Sequence, residues 1–324
     1  MARRRMTGGN GWRMTGGQGS RSRAAALSIA SNSVLIVLKL VAGAVTGSVA
    51  IITEAIHSAI DLLASIVAFF SVRQAETPAD ASHRYGHDKF ENVAAGIEGM
   101  LILVGSGVIV YTAVDHLVEG TEIESLGFGI VVVALATTVN LVVSQYLYRR
   151  AAETDSAALA GDAAHLRTDA FTSLGVLVGL ALISVTGETW IDPAIALVIA
   201  VAIVFTGLRV VAGSWRVLVD EALPEDEMLA IQEAIESYAE RGVVGYHELR
   251  TRRAGPRRYV DMHVQFRSGT TLEEAHSIAH RLQDTIRERL RGADVLIHLE
   301  PQDAVRPGAE LGVADVGGSA KHPH

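Results

Sequence analysis

The sequence predicts a membrane-embedded all-α bundle of six helices followed by a small α+β domain. Three observations predict it. Long apolar stretches recur from residue 24 to residue 218 and then stop. Ionisable residues interrupt two of those stretches at helical spacing. Beyond residue 220 the pattern becomes an amphipathic helix, two alternating strands, a second helix and a last strand.

Composition narrows the function classes first. The 324 residues are 49% hydrophobic and only 20% charged, with a formal net charge of −8. There is no cysteine, which excludes a disulfide framework, a thiolate zinc site, an iron–sulfur cluster and a cysteine nucleophile. Any metal chemistry must run on the 12 His and 36 Asp and Glu residues. An acidic chain with 5% aromatics offers no basic stacking groove, so no nucleic-acid partner is expected.

The apolar stretches run over residues 24–45, 48–72, 92–117, 126–147, 157–185 and 193–211. Each reaches or approaches the ~20 residues that cross a bilayer's hydrocarbon core. Residues 125–148 and 170–187 carry no charge at all. Lys and Arg set the orientation. Arg21 and Arg23 precede the first span, Arg73, Arg84 and Lys89 flank the second connection, and Arg149, Arg150 and Arg167 the fourth. The alternate connections hold Glu119, Glu122, Glu124, Glu188 and Asp192 with no Lys or Arg. Both termini are therefore expected in the cytoplasm of a multi-pass cell-membrane protein.

Residues 1–22 repeat Arg-Met-Thr-Gly-Gly from Arg5 and again from Arg13, a polar Gly-rich tail expected to be disordered. Residues 304–324 read as a second such tail. Between them lie a membrane domain, 23–220, and a soluble domain, 221–303. In the latter, Pro224 opens a helix with acid in its first turn and an apolar stripe of Ile231, Ile235 and Tyr238. Strands follow at 246–251 and 258–267, where Val260, Met262, Val264 and Phe266 alternate with Tyr259, Asp261, His263 and Gln265. A helix at 272–291 and a strand at 295–299 complete α-β-β-α-β, a ferredoxin-like layer.

The second span contains Glu54-x-x-His57-x-x-x-Asp61 and the fifth Asp162-x-x-His165-x-x-x-Asp169. Positions i, i+3 and i+7 fall within about 60° of one another on a helix, so each trio shares a face. Two such faces supply two imidazoles and two carboxylates, the four-ligand set that Zn²⁺ accepts. An ionisable group at mid-membrane costs about 2.5–3.5 kcal/mol. Interhelical hydrogen bonds return only ~0.6 kcal/mol, which leaves bound metal as the reason for His57, Asp61, His165 and Asp169. Glu54 and Asp162, one turn away, suit either ligands or proton relays.

The arrangement resembles the cation diffusion facilitators, and among them the bacterial zinc and ferrous-iron efflux members. The resemblance covers about residues 23–303. It rests on Gly47-Ser-Val-Ala, His57-Ser-x-x-Asp61, Tyr85-Gly-His-x-Lys89-x-Glu91 and His165-x-x-x-Asp169. It continues through Asp220-x-Ala-Leu-Pro224, His247-x-Leu-Arg-Thr-Arg252 and Ile297-His-x-Glu-Pro301. The family implies proton-coupled export of divalent metal by a homodimer. Iron/zinc members place Asp where this chain has His57, and zinc-selective members have His there. A second imidazole favours Zn²⁺ over Mn²⁺, with Fe²⁺, Co²⁺ and Cd²⁺ as alternatives.

Asp80, His83 and His87 lie between the second and third spans, with the histidines at i, i+4, a chelating spacing if the stretch is helical. The resemblance makes them a loop metal site. His263 lies on the polar face of its strand, and His298 and Glu300 share a face of theirs. The resemblance adds His247 and His276 to make a dinuclear cytoplasmic site, with Glu300 where relatives have Asp. It also implies that Lys89 and Asp220 form an interlocking salt bridge. Glu98, Asp115 and His116 read as structural or vestibule residues, and His280 as a surface histidine.

Metal needs neutral His and ionised Asp, so metal and protons compete for the same groups. The expected function is a Zn²⁺/H⁺ antiporter, with zinc both cargo and regulator and no organic cofactor. A membrane zinc hydrolase would need an open metal position and a His-Glu-x-x-His helix, which the sequence lacks, so no enzyme is expected. A membrane-anchored metal sensor would have no use for mid-membrane ligands.

Overall fold

Six helices of 27 to 30 residues make the first two-thirds of the chain. They are α1 (Gln18–Thr46), α2 (Val49–Ala75), α3 (Phe90–Glu119), α4 (Gly127–Thr154), α5 (Ala157–Thr186) and α6 (Ile191–Leu218). The computed structural model describes residues 18–46, 49–119, 127–186, 188, 190–303 and 312–313. The side chains of Glu54 and His57, residues 47 and 48, the acidic connection at 120–126 and most of both tails lie outside the described residues.

At 1.5 Å per residue, each helix exceeds the ~30 Å thickness of a bilayer's hydrocarbon core. Among the described residues, Arg21–Val41, Phe90–Val118 and Pro193–Leu218 are apolar enough to cross a membrane by composition alone. Helices α2 and α5 carry the charged constellation, and α4 bears Asn140, Gln145, Arg149 and Arg150. Much of that polarity turns inward: Asp61, Ser65, Asp162 and His165 are buried, while Val34, Leu63, Val104 and Phe205 are exposed. Such an inverted distribution suits a lipid surround.

Small residues set the packing. Ala24 and Ala25 of α1, Ala94 of α3 and Ala158 and Ala163 of α5 are fully buried and let helix backbones approach closely. Helix α3 lies along α6, and a Cβ on Gly99 would come within 2.8 Å of Val211 Cγ2 and 3.0 Å of its backbone nitrogen.

Helix α1 begins at Gln18, inside the stretch expected to be a disordered tail. The reason is electrostatic. Arg21 is 6% exposed and its guanidinium lies 2.6 Å from the Glu91 carboxylate of α3 and 3.7 Å from that of Glu76 beyond α2. Ser156, ahead of α5, donates to the other oxygen of Glu91. One guanidinium thus gathers the ends of three helices, although composition alone places it in the tail.

The second domain runs α7 (Glu225–Glu236), a 3-10 turn at Ala239–Arg241, β1 (Val243–Ala254), β2 (Arg257–Phe266), α8 (Leu272–Arg289) and β3 (Ala293–Pro301). That is the expected α-β-β-α-β order. The strands β1 and β2 are antiparallel, and α8 crosses over to bring β3 parallel to β2. A two-residue strand β4 (Gly312–Val313), within the expected C-terminal tail, adds to β1, giving the order β3-β2-β1-β4. The alternation in β2 is realised, with Val260, Met262, Val264 and Phe266 at most 2% exposed. They pack under Ile231 and Ile235 of α7 and Leu282 and Ile286 of α8. Thr271 and Glu274 start α8 with a reciprocal capping box.

The β1–β2 turn docks on the helical bundle. Arg257 lies 3.0 Å from Asp88, and Arg253 and Arg258 reach Asp155 at 3.0 and 3.2 Å. The Arg252 guanidinium lies 5.0 Å from the Tyr85 ring centre and 4.4 Å from that of Tyr259, and the Tyr259 hydroxyl donates to the Tyr85 carbonyl at 3.1 Å. Burial pushes the Asp88 carboxyl up, against the opposing pull of Arg257.

Candidate metal centre

Among the described residues, imidazole and carboxylate groups gather in three places. The first is inside the bundle. His165 Nε2 lies 3.1 Å from Asp61 Oδ1, across from α5 to α2, and 3.9 Å from Asp169 Oδ2 one turn further along α5. Asp61 and His165 are 6% and 7% exposed, which is the cost the sequence argument turned on. The three ligand atoms lie within 4.8 Å of one another. His57 stands one turn before Asp61 on α2, but its side chain lies outside the described residues, as does that of Glu54.

Asp162 does not join this cluster. Its Oδ1 accepts a hydrogen bond from Ser65 Oγ of α2 at 2.9 Å, and Asn32 Nδ2 of α1 donates to the same Ser65 at 2.9 Å. Lys39 of α1 is a group the sequence analysis passed over. It is 5% exposed and donates to Ser58 of α2 at 2.6 Å, so a buried lysine stands beside the helix that carries Asp61. The available signal was a lone lysine in the otherwise apolar stretch after Arg23.

The second cluster joins Asp80, His83 and His87 between α2 and α3. The stretch is a succession of turns rather than the helix that an i, i+4 chelate would require. Asp80 Oδ1 accepts from Ser82 Oγ at 2.7 Å, and from the backbone nitrogens of Ser82 and His83 at 2.8 and 2.7 Å. This Asx turn brings His83 and His87 to a ring separation of 4.4 Å, with His87 Nε2 3.5 Å from Asp80 Oδ2. The Ser82 hydroxyl, followed by the backbone donor of His83, holds the Asp80 carboxyl down at about 2. A group that stays ionised so far into acid could accept a cation without first losing a proton.

The third cluster is built by strand register. His247, His263 and His298 are direct neighbours across β1, β2 and β3. Glu300, two residues past His298, accepts from His247 Nε2 at 2.7 Å and from His263 Nδ1 at 2.9 Å. Burial alone would raise the Glu300 carboxyl, but the bonds from His247 and His263 outweigh it and leave it lowered. Glu248 approaches His263 Nε2 at 3.5 Å from an irregularity in β1, where its φ is +50°. Sequence reasoning missed Glu248, because alternation puts it on the opposite face from His247 and only the bulge turns it back. His276 stays apart. It sits on α8 with its Nε2 3.1 Å from His280, so the structure does not gather the fifth residue that the family resemblance supplied.

Lys89 and Asp220 meet at 2.7 Å, with Arg252 3.5 Å from the same carboxylate oxygen. The hydrogen bond from Lys89 holds the Asp220 carboxyl below the usual range. The contact ties the start of α3 to the residues that follow α6.

A helical membrane domain with an imidazole–carboxylate cluster inside it, joined to a sheet domain that carries another, defines a membrane transporter of cations. The family descriptions "Cation efflux transmembrane domain" and "Cation efflux protein, cytoplasmic domain" match residues 25–219 and 223–302. The transporter sll1263 of Synechocystis sp. is 37% identical over 86% of this chain and 89% of that protein. The cation-efflux pump FieF of Escherichia fergusonii is 36% identical over 88% of this chain and 94% of the pump. The metal-bound C-terminal domain of the CzcD transporter from Thermotoga maritima is 25% identical, over 26% of this chain and 100% of that domain, with a TM-score of 0.23. The chain belongs to the cation diffusion facilitator family of cation efflux transporters.

Proposed function

We propose that this chain is a Zn²⁺/H⁺ antiporter that moves zinc out of the cytoplasm. The observation that carries the reading is the Asp61–His165–Asp169 cluster between α2 and α5, with Asp61 and His165 buried. Its mixed nitrogen and oxygen donors suit Zn²⁺ better than Mg²⁺ or Ca²⁺, which take oxygen. His57, at the helical spacing that aligns it with Asp61, is the fourth ligand. Zinc binds when His165 is neutral and the carboxylates are ionised, and protons arriving from the far side displace it. Rocking of α2 and α5 against the rest of the bundle exposes the site to each side in turn.

The six long helices are six spans, with both termini cytoplasmic because the Arg-rich connections lie on that side. The membrane domain ends at residue 220 and the cytoplasmic domain occupies 221–303. The chain works as a homodimer in the cell membrane. Zinc at His247, His263, His298 and Glu300 regulates transport, and zinc at Asp80, His83 and His87 occupies the loop site. The Lys89–Asp220 bridge interlocks the helix ends.

The test is zinc flux through the purified protein in liposomes, with and without a pH gradient, and with Asp169→Ala as control. Flux that needs the gradient and Asp169 supports antiport. Flux that is unchanged when the gradient is collapsed overturns proton coupling, and Fe²⁺ or Mn²⁺ carried in preference to Zn²⁺ overturns the choice of cargo.

A further inference from the structure

Glu98 belongs to none of these clusters, yet it is completely buried on α3. Neither of its carboxylate oxygens has a hydrogen-bond partner among the described residues. The group lies against Gly161 of α5, where an added Cβ would collide with Glu98 Oε2 and come within 3.1 Å of Ala95 Cα. The next residue is Asp162, also completely buried, whose Oδ2 has no hydrogen-bond partner among the described residues.

The charged groups around the pair are few. Among the described residues, Asp162 of α5 is the charged side chain that acts on Glu98. His165 of α5 acts on Asp162, Asp61 of α2 is engaged with His165, and Arg209 of α6 acts on Tyr148. Among the described residues, no cation compensates Glu98. Two neighbouring buried carboxyl groups with no counter-ion among the described residues cannot both be ionised, because each charge disfavours the other and burial disfavours both.

The two differ in their donors. Asp162 Oδ1 is served by Ser65, which Asn32 supports in turn, so Asp162 is equipped to hold the negative charge. Glu98 has no donor among the described residues and is equipped to be neutral. We propose that Glu98 and Asp162 form a proton-binding site separate from the metal cluster, in which Glu98 carries the proton and Asp162 is its acceptor. The transfer is balanced: the O–H bond of Glu98 breaks, its electron pair stays on Glu98, and the proton forms a new O–H bond on Asp162. A metal ion is a poor occupant, since there is no imidazole and no space for a Cβ at Gly161, let alone for a hydrated cation. Asp162 stands one helical turn from His165, so a proton held here is poised beside the groups that exchange protons for zinc.

The role in transport rests on the antiport reading above, whereas the existence of the proton does not. The test is infrared difference spectroscopy of the full-length protein in lipid at neutral pH, paired with zinc flux in liposomes. Glu98→Gln keeps the shape and the neutral state. It should remove a protonated-carboxyl stretch that the parent protein shows, and its flux should respond less steeply to the pH gradient. Asp162→Asn, a second variant should the first not assemble, should shift that stretch because the acceptor has changed. A stretch that persists in Glu98→Gln, or stays unshifted in Asp162→Asn, overturns the proposal. Flux in Glu98→Gln that follows pH as steeply as the parent overturns it as well. If the parent's own flux ignores the gradient, the antiport reading fails, and the infrared band still decides whether Glu98 holds the proton.

Discussion

Replacing Asp61 by asparagine keeps the size and planarity of the side chain and removes one negative charge from the membrane cluster. Asp61 Oδ1 is 3.1 Å from His165 Nε2, and the residue is 6% exposed, so little water screens it. Two unit charges about 4 Å apart attract by about 4 kcal/mol at an effective dielectric constant of about 20. A divalent cargo increases that attraction, and the dehydration of ion and carboxylate offsets the increase. A net loss of about 4 kcal/mol weakens zinc binding about a thousandfold. The assay is initial zinc flux into liposomes as a function of zinc concentration, on variant protein whose size-exclusion profile matches the parent. The half-saturating concentration should rise by about three orders of magnitude, with flux near background at low zinc. An unchanged half-saturating concentration would mean that Asp61 does not touch the cargo, and the whole ligand assignment would fall with it.

Three further outcomes are expected. His57→Asp converts an N₂O₂ donor set to NO₃, so relative flux of Cd²⁺, Fe²⁺ or Mn²⁺ should rise against Zn²⁺ and the pH profile should change; identical metal preference and pH profile would remove His57 from the ligands. His263→Ala breaks the contacts to Glu300 and Glu248, and should shrink the zinc-induced rise in melting temperature of the detergent-solubilised protein, which scales with ligand affinity; an equal shift in both proteins would refute it. Asp220→Asn should cost at most about 1 kcal/mol, because the side chain is 50% exposed and its ion pair with Lys89 is screened. Since Lys89 holds the Asp220 carboxyl low, that contribution is present above the ordinary carboxylate pKa of about 3.9 and lost as pH falls below it. Melting temperatures of variant and parent should therefore differ at neutral pH and converge in acid; a constant difference would show that the pair does not titrate as described.

Helix-borne ligands were the most legible part of the site. His165 and Asp169 are four residues apart on one helix, and 3.6 residues per turn dictates that they share a face whatever surrounds them. For His83 and His87 the condition of that rule, a helix, is not met, yet an Asx turn at Asp80 brings the two imidazoles together all the same. Arg21 was assigned to a tail for the sake of its Gly-rich neighbours, although its partners Glu76 and Glu91 lie more than fifty residues away. Glu98 read as structural, since nothing in the spacing says that a lone carboxyl will face Gly161 and Asp162 on another helix.

What the amino-acid order determines here is whatever depends on local periodicity and composition: long apolar helices, ligand pairs on α2 and α5, and the alternating face of β2. Those properties follow from the dihedral geometry of one segment and need no partner. Pairings between segments belong to the tertiary structure. The alignment of His247, His263 and His298 needs the crossover through α8 to set β3 parallel to β2 in one register. The approach of Glu248 needs a bulge, and the docking of Arg257 on Asp88 needs the sheet turn to meet the α2–α3 connection. Each is selected by packing and charge satisfaction over the whole chain, because a buried ionisable group is tolerated only where the fold brings it a ligand, a donor or a proton.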